Sequence, residues 1–152
     1  MTFKGFFELL TVKDLFAKLE RDFVRVQSSP VDVDAAFDFF VTAYHILDWL
    51  HPGVENNLKR EEIEKNSVLL QVASHLANGS KHFEATARKH KSVEKTVSRP
   101  GAFQPGAFQP DAFDVGELVI HLEGDAAVHL GRSTNVVELA TRLVDFWRQK
   151  LK

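Results

Sequence analysis

A chain of 152 residues with 44% apolar content is long enough to fold as one domain that buries roughly two-thirds of the surface its unfolded form exposes. The absence of cysteine excludes disulfides, thiolate zinc centres and cysteine nucleophiles, and it suits a reducing compartment, so a cytoplasmic location is expected. A net charge of −2 gives no global pull toward nucleic acid or anionic lipid, and no stretch approaches the roughly 20 apolar residues of a membrane span.

Charges at Lys4, Glu8 and Lys13 break up the N-terminal apolar residues, so no leader is expected there. From Thr11 to Ser29, Val12, Phe16, Leu19, Phe23 and Val26 recur at alternating steps of four and three, the stripe of an amphipathic helix. Thr11 with Asp14 suits its N-terminal cap, and Ser28-Ser29-Pro30 stops it. A second helix, Asp32 to Leu50, carries two apolar stripes: Val33, Phe37, Phe40, Tyr44, Leu47 and Ala36, Phe39, Ala43, Ile46, Leu50. Such a helix belongs at the centre of a bundle, with a narrow polar seam of Asp34, Asp38, Thr42, His45 and Asp48.

The polar segment Glu55 to Asn66 reads as a short exposed helix. After it, the stretch from Ser67 to Lys89 places Leu69, Val72, Ala73, Leu76, Ala77, Phe83 and Ala87 on one side, with Gln71, His75, Asn78 and His82 on another. Gly79 interrupts that pattern. If it ends the helix, Asn78-Gly79 is a cap; if the helix continues, Gly79 costs up to about 1 kcal/mol against Ala unless a neighbouring helix packs against it. Residues 91–98 alternate with period two, as a strand does. GAFQP at 101–105 then repeats at 106–110 and fades into DAFD; its Gly and Pro spacing predicts a surface loop with Phe103, Phe108 and Phe113 as anchors. Leu118-Ile120-Leu122 and Ala126-Val128-Leu130 alternate around Gly124-Asp125, which predicts a hairpin. A final helix runs from Asn135 to Leu151, with Asn135 and Glu138 as a capping pair and Val136, Ala140, Leu143 and Trp147 buried. The expected fold is α+β, mainly α, in a single domain over 1–152. Its parts are a helical bundle over 1–91, a strand, Pro/Gly-Phe loop and hairpin over 92–131, and a C-terminal helix over 133–152.

Seven histidines raise the question of a metal. No His-Glu-x-x-His occurs, and His75 and His82 lie nearly two turns apart, about 10 Å along the axis, too far for one ion. A metal site or metal-dependent enzyme would have to be built between helices from His45, Asp48, His75 and His82. Otherwise the two polar seams are a pocket or an interhelical hydrogen-bond network. His121 and His129 read as ordinary strand residues. No Gly-x-Ser-x-Gly and no Gly-rich phosphate cradle is present, so no cofactor is expected. The segment from Lys81 to Arg99 is locally basic, with Lys81, Arg88, Lys89, Lys91, Lys95 and Arg99 against Glu84 and Glu94. It is either a solvated helix end or a phosphate-contacting patch for nucleic acid.

The run Leu76-Ala77-Asn78-Gly79-Ser80-Lys81-His82-Phe83 resembles the signature of the HEPN superfamily, helical domains of ribonuclease toxins and phage-defence proteins, over roughly Asp32 to His90. In that family an Arg, often followed by a polar residue, precedes a His by about four to six intervening residues near a helix end. Asn78 and His82 match; the Arg would fall at Ala77, Leu76 or His75, and none of these is Arg. The resemblance therefore implies a module without metal-independent RNA cleavage, since the guanidinium that would stabilise the phosphorane charge is missing. AYHILDWL upstream of LANGSKHF is also similar to small bacterial proteins, a likeness that implies no activity. The functional expectation is a non-catalytic binding module for RNA, a nucleotide or a protein partner, using Asn78, Lys81 and His82 with His45 and Asp48 opposite. Lys81, Arg88, Lys89 and Lys91 would meet phosphate. The aromatic loop leaves self-association open.

Overall fold

The computed structural model describes residues 2–101 and 116–152, so the GAFQP repeat with Phe103, Phe108 and Phe113 lies outside the described residues. The fold is α+β and mainly α: helices α1 (Val12–Ser28), α2 (Val33–Leu50), α3 (Asn57–Lys65) and α4 (Val68–His82) are followed by strand β1 (Val93–Pro100), β2 (Gly116–Leu122), the short helix α5 (Gly124–Leu130), β3 (Ser133–Asn135) and α6 (Val136–Lys150). No helix among the described residues is long and apolar enough to cross a membrane.

Local chemistry sets the helix ends. The Thr11 hydroxyl accepts from the Asp14 amide while the Asp14 carboxylate accepts from the Thr11 amide, a reciprocal capping box; the Leu10 amide, which also donates to that carboxylate, and then Thr11 hold the Asp14 carboxyl below its ordinary range. Asp32, Ser67 and Asn135 cap α2, α4 and α6 in the same sense, each side chain accepting from amides of the first turn. A single 3-10 turn at Val54–Asn56 leads into α3.

α2 is central, as its two stripes predict, with Phe39, Ala43 and Ile46 fully buried; only the start of the first stripe, Val33 and Phe37, reaches solvent. α6 crosses it and drives Trp147 into the core, where the indole N–H donates to the Ala43 carbonyl at 2.9 Å. Leu19, Leu70, Ile120, Leu139 and Leu143 complete one apolar cluster shared by helices and sheet. On α1 the buried face runs Leu15-Leu19-Asp22-Val26, so a carboxylate stands where the stripe predicts only apolar neighbours.

The sheet is antiparallel in the order β1-β2-β3. β1 and β2 pair from Val93 with Leu122 to Pro100 with Gly116, with an irregularity between Val93 and Lys95. The expected hairpin around Gly124-Asp125 does not form. Residues 124–130 are helical, and the third strand is the short Ser133–Asn135 beyond them. A strand would have buried Ala126, Val128 and Leu130 together; the helix instead turns Ala126, Ala127 and Leu130 to the core and leaves Val128 79% exposed. His129, expected on a strand, therefore sits on α5, its Nδ1 2.8 Å from the Asp125 carbonyl, while His121 is on β2 as expected.

Candidate nucleic-acid interface

α4 continues through Gly79 and ends at His82, and nothing lies within 4 Å of the Cβ that Gly79 lacks. Close packing therefore does not explain this glycine. In the last turns the short polar side chains fold back on the helix: Asn78 Nδ2 donates to the Ser74 carbonyl (2.8 Å) and Ser80 Oγ to the Ala77 carbonyl (2.7 Å). Lys81 and His82 are exposed next to the helix carbonyl end, where positive charge is favoured. Phe83 then adopts φ +64° with its ring 93% exposed. A bulky L-residue pays for that backbone conformation, and here the outlay is not returned by burial of the ring.

Residues 84–92 carry the chain from Phe83 to β1. Among the described residues Lys81, Arg88, Lys91 and Lys95 form no salt bridge, so four cations along one stretch remain free for an external anion. Lys89 and Arg99 do not belong with them. Arg99 pairs with Glu117, and Lys89 Nζ lies 2.9 Å from Glu64 Oε2.

That second contact opens onto a feature that sequence reasoning missed. Glu64, 6% exposed, accepts from Lys89 through one oxygen, while Oε1 is buried without a protein partner. Burial would lower the Lys89 ammonium, but the hydrogen bond and charge of Glu64 together with the Tyr44 phenol outweigh it, and the net shift is upward. Lys89 also stands 5.9 Å from the centre of the Tyr44 ring, whose phenol is pushed up by burial. A cleft of about 460 Å³ is lined by Glu61, Glu64, Lys65, Gln71, Ser74, Lys89 and His90. Behind it, half-buried His75 stacks on His90 with ring centres 5.1 Å apart, and His75 Nδ1 accepts the Val93 amide at 3.0 Å. Burial lowers both imidazoles.

The two polar seams do not face each other. The α2 seam turns to α1: Lys18 Nζ donates to Asp22 (2.6 Å) and Thr42 (3.0 Å), Thr42 donates to Asp22 (3.0 Å), and Asp38 pairs with Arg25 at 3.0 Å. The α4 seam turns to the 84–93 stretch, and Gln71 donates to the Glu64 and Lys65 carbonyls. His45 is exposed beside a separate cleft with Lys18, Thr42 and Trp49, and exposed Asp48 lies 3.5 Å from Arg60 of α3. His45, Asp48, His75 and His82 are thus not brought together, and no group of three or more His, Asp or Glu side chains placed to hold a metal occurs among the described residues. Of the five binding residues expected from sequence, Lys81 and His82 face solvent beside Phe83, Asn78 is committed to its own helix, and His45 and Asp48 lie in other surroundings. Compared with known proteins, the chain matches no family model, no curated protein and no solved structure.

Proposed function

We propose that this chain is a non-catalytic cytoplasmic module that binds single-stranded RNA along residues 81–95. Phe83 stacks a base, while Lys81, Arg88, Lys91 and Lys95 neutralise phosphates. The observation that carries the reading is Phe83: a strained backbone that exposes an aromatic ring, flanked by cations without acidic partners, has the two components of single-strand recognition. The HEPN-like pattern at Asn78 and His82 points to the same polymer, and the missing Arg argues for binding without cleavage.

Fluorescence anisotropy with a labelled single-stranded oligoribonucleotide tests this. Affinity is expected to fall with salt, with a log–log slope of about −2 to −3 for three or four phosphates on a single strand, and to fall further on Phe83→Ala. Absence of any salt-dependent binding at low ionic strength would refute the proposal. Preference for duplex DNA, or equal binding by Phe83→Ala, would remove the stacking component and with it the reading.

A further inference from the structure

We propose that His75 is a pH-sensitive latch that ties the start of β1 to α4 and thereby fixes the far end of the basic stretch. The regulatory consequence rests on the RNA-binding reading above; the latch itself does not. Val93 N–H donates to His75 Nδ1 at 3.0 Å, so that nitrogen carries a lone pair and the ring is neutral with its proton on Nε2. Protonation puts an N–H where the lone pair was, and two donors then face each other. The other oxygen at that nitrogen is Ser92 Oγ, at 3.4 Å and already directed to the Gln71 carbonyl, also at 3.4 Å. The charged ring therefore exchanges a good hydrogen bond for a long one and leaves the half-buried Val93 amide without its acceptor.

The surroundings confine the effect to this point. Val93 pairs with Leu122, but the register is interrupted before Lys95, so the first pair of β1 is separated from the continuous ladder. The Ser92 carbonyl accepts from the Glu123 amide at 2.9 Å, and this is the next attachment that opening would strain. The titratable groups around the ring pull in different directions. Glu123, at the β2–α5 junction, favours a charged His75; stacked His90 disfavours two adjacent cations; and Lys89 is largely answered by Glu64 of α3, with Tyr44 of α2 beside it. Burial outweighs Glu123, so the ring stays neutral in the closed form and gains a proton more readily once the latch opens. The sign follows: the latch is closed above the ordinary histidine value of 6.5 and is progressively lost as pH falls toward the lowered closed-state value.

Amide hydrogen exchange at Val93, measured by NMR on the intact chain without RNA from about pH 8 to about pH 5.5 and normalised to intrinsic rates, reads the latch directly. Protection at Val93 is expected to fall roughly tenfold per pH unit between the ordinary histidine value and the lowered one, while core amides such as Leu139, which exchange through global unfolding, stay the better protected at every pH. His75→Asn, whose Oδ1 reproduces the acceptor without titrating, is expected to abolish the pH dependence. Should that variant fail to fold, the nitrogen shifts of His75 in the wild-type protein decide: an unprotonated Nδ1 at about pH 8 supports the latch, and a protonated one overturns it. Val93 protection that is flat with pH, or that falls equally in His75→Asn, also overturns it. RNA titrations at the same pH values report separately, so failure to bind RNA leaves the latch standing and a rigid Val93 leaves RNA binding standing.

Discussion

Phe83 and Gly79 each depart from what their backbone would prefer, and in opposite ways. Phe83 holds φ +64° without burying its ring, and Phe7 does the same at +50° with 78% exposure. Phe83→Gly is expected to raise stability by up to about 1 kcal/mol in urea unfolding, because glycine adopts this conformation without strain. The same change is expected to weaken RNA binding by about 1 to 3 kcal/mol, the worth of one stacked base. Gly79 has the reverse problem: it loosens a helix interior with no neighbour inside 4 Å to justify it. Gly79→Ala is expected to add up to about 1 kcal/mol, seen as a higher urea midpoint with an unchanged slope. At this scale legibility follows the distance to the partner. Thr11 with Asp14 and Asn135 with Glu138 were readable because cap and amide are three residues apart. Asp22 has a near partner in Lys18, but its burial against Thr42, 20 residues away, was not readable, nor was Glu64, whose partner Lys89 is 25 residues away.

Among the elements, the connection from α4 to β1 is the informative one. It is held to the helices by the Lys89–Glu64 contact and by the Val93–His75 hydrogen bond. Lys89→Met is expected to destabilise the fold by about 1 to 3 kcal/mol, since it strands a buried carboxylate, though half of the Lys89 side chain faces water and moderates the loss. Lys91→Met, at an exposed unpaired cation, is expected to leave stability within about 0.5 kcal/mol while weakening RNA binding. Parallel melting curves distinguish the two, and Glu64→Leu in the Lys89→Met background is expected to recover part of the loss. α5 shows where pattern reading fails. Ala126, Val128 and Leu130 satisfy period two as well as Ala126, Ala127 and Leu130 satisfy one helical face, and seven residues are too few to separate them. The contacts of this segment with the rest of the core decided between the two. Helices of fifteen residues or more, α1, α2, α4 and α6, left no such ambiguity.

For the molecule as a whole, acid is expected to destabilise. His51, His75 and His90 all lie below their ordinary value of 6.5, each first of all because burial disfavours the charged ring. The unfolded chain therefore binds more protons than the native one between those lowered values and 6.5, so unfolding free energy rises with pH across that interval. Urea midpoints are expected to climb from about pH 5.5 to about pH 7.5 and then level off. The bundle with its small sheet was legible because each long helix announces its own buried face. The meeting of residues 64, 75, 89, 90 and 92 was not, because which seam faces which neighbour depends on how the helices rotate as they pack.

The register of β1 against β2 also bears on how this gene can vary. Pro100 stands opposite Gly116, so the described pairs end at residues that flank the duplicated GAFQP units. Five extra residues inside a strand would turn every later side chain to the wrong face. The units lie between the two paired ends and not among the residues of the described pairs. Copying errors in this tract therefore leave the strand partners unchanged, and copy number can drift here without the sheet having to be rebuilt.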